Sequence, residues 1–121
     1  MNEFLRTDTA MSALSSMRTG GIAPVAYFPE TEQSLCDTVR RLTEEHKRFF
    51  VFGNLSNVLL PDGTLDFVPV ITTGIKTVTV TDTDDGIKVY AACGVSLTGL
   101  ALEFCRGDYA GLSFAYGIPG T

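Results

Sequence analysis

Phe49-Phe50-Val51-Phe52 is an apolar run that gives way at once to the small polar turn Gly53-Asn54-Leu55-Ser56-Asn57 and then resumes as Val58-Leu59-Leu60. A short run that is apolar at nearly every position reads as a strand covered on both faces, which is the habit of parallel sheets and requires a crossover connection. The preceding residues supply one. Val25-Ala26-Tyr27-Phe28, bracketed by Pro24 and Pro29, reads as an earlier strand. Between the two, Thr31 can cap a helix whose first turn carries Glu32 and whose inner stripe holds Leu35, Val39 and Leu42, with Cys36 beside them. Arg40 with Glu44, and Arg41 with Glu45, are expected as ion pairs on its outer side. His46 is expected to complement the last carbonyls of this helix. Strand, helix and strand in this order predict a parallel βαβ unit. Ligands of open α/β sheets bind beyond the carboxyl ends of strands, which is where residues 53–57 fall.

The rest of the chain changes grammar at Gly74. Before it, Asp62-Gly63 marks a turn and Phe67-Val68-Pro69-Val70-Ile71 a third strand, in which Pro69 suggests an edge or a bulge. After it, Thr77-Val78-Thr79-Val80-Thr81 alternates, Asp84-Asp85-Gly86 supplies a hairpin turn, and Ile87-Lys88-Val89-Tyr90-Ala91-Ala92 returns. Two antiparallel strands do not stand alone in water, so further strands are expected from beyond Thr121 or from another chain. Ser96 then caps a helix through Arg106, with Leu97, Leu100, Ala101 and Phe104 on its buried stripe and Gly107 ending it. Residues 1–13 are expected to form a short helix with Phe4, Leu5 and Met11 on its apolar side. The fold class is thus α+β: an extension at 1–19, a small parallel βαβ lobe at 20–73, and the start of an antiparallel α+β lobe at 74–121.

Composition narrows the function classes. A chain of 121 residues with 45% apolar content has enough material for one core. Its net charge of −5, with no basic cluster, argues against nucleic acid as a partner. The mean hydropathy of +0.19 is high for so small a unit. Either a remaining part of a longer protein or a homo-oligomer would cover the extra apolar surface. Cys36, Cys93 and Cys105 are odd in number, lack C-x-x-C spacing and lie far from His46, so no metal site is expected and buried reduced thiols are. No run approaches the roughly 20 apolar residues of a membrane span, and the first residues lack the basic and apolar regions of a secretion signal. The expected compartment is the cytoplasm, with no membrane partner.

The second glycine-rich turn is Gly111-Leu-Ser-Phe-Ala-Tyr-Gly-Ile-Pro-Gly-Thr121. Turns of this composition expose consecutive N–H groups and let them approach an anion such as a phosphate. There is no G-x-G-x-x-G fingerprint and no Walker A lysine. Taken singly, each turn reads first as a surface connection between elements. Taken together with Gly20-Gly21 and Ala92-Cys-Gly-Val-Ser-Leu97, they resemble the N-terminal part of the UDP-N-acetylenolpyruvoylglucosamine reductases, also called UDP-N-acetylmuramate dehydrogenases, of the FAD-binding superfamily that includes vanillyl-alcohol oxidase. The resemblance covers roughly residues 14–121. Where the family loop reads G-x-G-S-N, this chain has Leu55 in place of the second glycine. If that position needs a positive φ, Leu55 carries strain of about 1–2 kcal/mol, or the turn takes another shape. Where the family has N-T-F and a basic or polar residue, this chain has Ser15-Ser16-Met17-Arg18.

The resemblance implies part of a two-lobed FAD-binding domain that continues beyond Thr121, in an enzyme that carries hydride from NADPH through FAD to the enolpyruvyl group of a UDP-sugar. It implies non-covalent FAD held by Gly53, Asn54, Leu55, Ser56, Asn57, Gly117, Ile118, Gly120 and Thr121. The family's proton-donating serine and its supporting arginine and glutamate map beyond Thr121, so no catalytic residue is assigned here. Asn57 is weighed equally as a ligand contact and as a residue bonding its own turn. Arg18 is a solvated charge or a contact to a cofactor phosphate, and Tyr116 is expected in core or lobe packing. The alternatives are an FAD module of another oxidoreductase of the superfamily, or a non-catalytic relative acting as an oligomeric or partner-binding module.

Overall fold

The computed structural model describes residues 4–121, and the expected helix over 1–13 is replaced there by a strand. β1 (Leu5–Ala10) pairs antiparallel with β2 (Ile22–Tyr27), Leu5 opposite Tyr27 and Ala10 opposite Ile22. Of the three residues expected on the apolar side of a helix, Met11 alone is fully buried, in the single 3-10 turn Met11–Ala13. Residues 1–3 of that expected helix lie outside the described residues.

α1 (Glu32–Glu44) follows β2 and begins as its sequence foretells. Thr31 and Ser34 form a reciprocal capping box, the Thr31 hydroxyl accepting from the Ser34 amide at 3.1 Å and the Ser34 hydroxyl accepting from the Thr31 amide at 3.1 Å. Arg41 pairs with Glu45 at 2.8 Å, but Arg40 turns back to Asp37 at 3.0 Å instead of reaching Glu44. His46 takes φ 51° just past the helix and donates its amide to the Thr43 carbonyl, so its backbone closes the helix.

β3 (Phe49–Phe52) and β4 (Val68–Ile71) complete a sheet of order β1-β2-β4-β3, with β4 parallel to both of its neighbours. This order reverses two expectations. β3 is an edge strand with Phe50 44% and Val51 48% exposed, whereas β4 is central and Pro69 is buried in it. The proline is tolerated because of strand parity. The amides of Val68 and Thr72 donate to Arg48 and Phe52 on the β3 side, so position 69, one residue out of phase, faces β2. On that side the pairing among the described residues is short, Tyr27 opposite Val70, so the missing N–H falls where the ladder is least extensive.

Adjacent residues of β2 and β4 enter opposite faces of the sheet. Ala26 and Ile71 join Met11, Ala23, Leu55, Leu60 and Leu65 in one core; Tyr27 and Val70 join Leu42 of α1 in the other. The two-sided burial expected of β3 therefore belongs to β4 and to the end of β2.

β5 (Val78–Thr83) and β6 (Gly86–Ala91) form the expected hairpin, closed by a two-residue loop with Thr83 opposite Gly86. Every residue of β5 is exposed. α2 (Leu97–Arg106) is capped by the Ser96 hydroxyl, which accepts from the Gly99 amide, and buries Leu100, Ala101 and Phe104. All three cysteines are exposed, against expectation: Cys36 and Cys105 fall just off the buried stripes of their helices, and Cys93 sits in the turn after β6.

Candidate functional site

The strand-end loop 53–57 leaves the carboxyl end of β3 and is shaped by Leu55. This residue adopts φ 56° and is only 3% exposed, its side chain inside the core with Met11, Ala23 and Leu60. Its carbonyl accepts the Ser16 amide at 3.3 Å, tying the loop to the segment after β1. A leucine in the left-handed region costs about 1–2 kcal/mol, and complete burial of its side chain is worth a similar or larger amount. The loop thus keeps a positive φ at the residue where the resemblance places a glycine.

The C-terminal loop is held from the other side by α2. The Leu97 amide donates to the Gly120 carbonyl at 3.1 Å and the Thr98 hydroxyl to the Ile118 carbonyl at 2.8 Å. The Ile118 amide donates to Ala115 at 3.3 Å, at the end of the 3-10 turn Ser113–Ala115. Gly117 and Gly120 take φ 83° and 129°.

These attachments bring the two loops together. Gly53 lies against the Thr121 side chain so closely that a β-carbon there would overlap it, and one on Gly120 would stand 3.6 Å from the Ser56 hydroxyl. Asn54 and Thr121 line one side of a cleft of about 340 Å³, and Thr73, Lys76, Gly94, Val95 and Ser96 complete it. Among the described residues, the amides of Gly53, Asn54, Leu55, Ser56, Asn57, Gly117, Gly120 and Thr121 donate to no protein acceptor. Of the residues expected at the site, Asn54 and Thr121 line the cleft; Ser56 lies beside Gly120, and Leu55 and Ile118 are engaged in holding the two loops. Asn57 is exposed, and its side chain bonds no residue of its own turn among the described residues.

Sequence reasoning missed Thr73 and Lys76, and named Gly94 only within the pattern at 92–97 and not as a residue of the cleft. Gly94 packs directly on the Thr72 and Ile75 backbone, which a side chain would displace; the pattern Cys93-Gly94-Val95 carried no sign of this contact. Arg18 takes φ 53° and borders a separate hollow with Ser12, Ala13, Ser15 and Ser16. Tyr116 is 65% exposed, against its expected place in packing, because the 3-10 turn directs Ala115 inward instead.

A fold of this kind recurs in solved structures of two oxidoreductases. The fold is shared with cholesterol oxidase from Brevibacterium sterolicum, with a TM-score of 0.66, 14% identity and coverage of 89% of this chain and 21% of that one. It is shared also with UDP-N-acetylenolpyruvylglucosamine reductase from Thermus caldophilus, with a TM-score of 0.67, 25% identity and coverage of 97% and 40%. In sequence the chain is similar to the UDP-N-acetylenolpyruvoylglucosamine reductases. It is 32% identical to that of Caldicellulosiruptor bescii over 98% of its own length and 36% of the relative's. It is 32% identical to that of Limosilactobacillus reuteri over 100% and 41%. The chain thus spans about two-fifths of the length of these curated relatives. No family model matches it.

Proposed function

We propose that this chain is the FAD-binding part of an NADPH-dependent reductase that converts UDP-N-acetylglucosamine enolpyruvate to UDP-N-acetylmuramate for peptidoglycan synthesis in the cytoplasm. In this reading residues 1–19 are an extension that lends β1 to the first lobe, 20–73 are that lobe, and 74–121 begin the second. The observation that carries the proposal is the approach of Gly53 to Thr121 and of Ser56 to Gly120, beside a cleft that Asn54 and Thr121 both line. Each loop offers unpaired N–H groups, and convergent main-chain donors suit a diphosphate without needing several basic side chains. The bare Gly53 α-carbon lets the Thr121 hydroxyl sit against the loop, where a β-carbon would push it aside.

Gly53, Asn54, Ser56, Asn57, Gly117, Gly120 and Thr121 would hold the cofactor diphosphate, with Leu55 and Ile118 fixing the two loops. FAD, when bound, supplies the two-electron hydride chemistry. This chain's own work is to hold and orient it. The longer length of the relatives leaves room for the substrate groups, and the chain alone is proposed to lack reductase activity.

Titration of the chain with FAD, followed by flavin fluorescence, tests the proposal: saturable one-to-one binding supports it and absence of binding overturns it. NADPH oxidation dependent on the enolpyruvyl substrate, catalysed by this chain alone, would overturn the division of labour.

A further inference from the structure

We infer that Lys76 is the charge that makes the cleft selective for the diphosphate of a nucleoside diphosphate ligand, an inference that rests on the reading above. The chain has nine lysines and arginines. Arg40, Arg41 and Arg48 are engaged with Asp37, Glu45 and Asp66, and the Arg6 guanidinium lies 4.2 Å from the centre of the Phe28 ring. Arg18 borders a different hollow, Lys47 lines a depression with Pro24 and Phe67 near the start of β3, and Lys88 on β6 and Arg106 in the last turn of α2 do not line the cleft. Lys76 lines the cleft itself, beside Asn54, Ser96 and Thr121.

Its surroundings are those of an unneutralised cation. No aspartate or glutamate lines the cleft, although the chain as a whole carries a net charge of −5. Among the described residues Lys76 makes no ion pair. Its backbone is fixed on both sides. Ile75 is fully buried and its carbonyl accepts the Gly94 amide at 2.9 Å, while the Thr77 carbonyl accepts the Ala92 amide at 2.9 Å. A long side chain on a pinned backbone, facing neutral dipoles and free amides, provides the monopole that main-chain donors lack. Main-chain N–H groups favour any acceptor; an ammonium adds a preference for the doubly charged one.

Calorimetric titration of the chain with FAD, ADP and riboflavin separates the contributions, since riboflavin carries no phosphate. Lys76→Gln is expected to weaken FAD and ADP about tenfold and to flatten the salt dependence of their affinity. Riboflavin should respond to neither change. Lys76→Arg should retain most of the affinity, and Lys47→Gln, an equal change in net charge at a distance, should retain all of it. Unaltered ADP and FAD binding by Lys76→Gln overturns the inference while leaving the site intact, as does an equal loss for riboflavin. A wild-type chain that takes up neither FAD nor ADP overturns the site reading, and this inference with it.

Discussion

The Thr121 side chain occupies the space in front of the Gly53 α-carbon that a β-carbon would fill. Loop and terminal turn meet there through the Thr121 side chain alone, which seats against the bare Gly53 α-carbon.

Gly53→Ala is expected to act on ligand affinity more than on stability. The atom it meets is the Thr121 hydroxyl, the end of a rotatable side chain, so Thr121 swings aside at small cost and its donor leaves the cleft. Gly94→Ala should do the reverse. Its β-carbon would stand 2.6 Å from the Ile75 carbonyl oxygen, and backbone has nowhere to go, so a loss of about 1–3 kcal/mol is expected from overpacking. Thermal melts and FAD titrations of the two variants check the contrast; a larger stability loss in Gly53→Ala than in Gly94→Ala would refute it.

Leu55→Gly restores the residue of the family pattern and should nonetheless destabilise the chain. Relief of the positive φ returns about 1–2 kcal/mol, while loss of the buried side chain costs about 2–5 kcal/mol with the cavity it leaves. Glycine also adds backbone freedom to the unfolded state. Urea denaturation should therefore show a net loss of about 1–4 kcal/mol, and a variant as stable as the parent would mean that Leu55 is not holding the loop from below.

Tyr90 on β6 donates its hydroxyl to the Glu32 carboxylate of α1 at 2.5 Å, joining the hairpin to the first lobe. That hydrogen bond, together with desolvation and the negative charge of Glu32, raises the phenol above its ordinary value of 10.0. Because the folded state holds the proton more tightly than the unfolded state, this contribution is complete below pH 10.0 and is lost as pH rises through the elevated folded value. Alkaline titration should find one tyrosine ionising late, and Glu32→Gln should return it toward the others. The alkaline fall in denaturation midpoint should be shallower in Tyr90→Phe. Identical titration curves for the parent and Glu32→Gln would show that the pair does not form in solution.

Local chemistry made much of this fold legible. Thr31 and Ser96 cap helices where their side chains can reach the first amides, and Asp84-Asp85 turns the hairpin. Strand position was not legible, because order in a sheet is decided by what packs on each face. Phe49-Phe50-Val51-Phe52 is apolar enough for a central strand, yet Val68-Pro69-Val70-Ile71 takes that place, with its proline facing β2, where the pairing is short. The extended N-terminal strand was missed because alternation in Leu5–Ala10 is weak and its pairing with β2 supplies the order. At the site, the glycine and small polar turns announced the loops. Lys76 did not stand out, and Gly94 did so only as part of the pattern at 92–97, since their places at the cleft arise only where separate turns meet.

Ile118 has its amide committed to Ala115 and its carbonyl to Thr98. An anion arriving at the terminal turn therefore meets a backbone whose curvature is already set at its midpoint. In the proposed site little ordering entropy would remain to be lost on complex formation, and the neighbouring glycine amides would act as a rigid receptor in place of a strand that must wrap its guest.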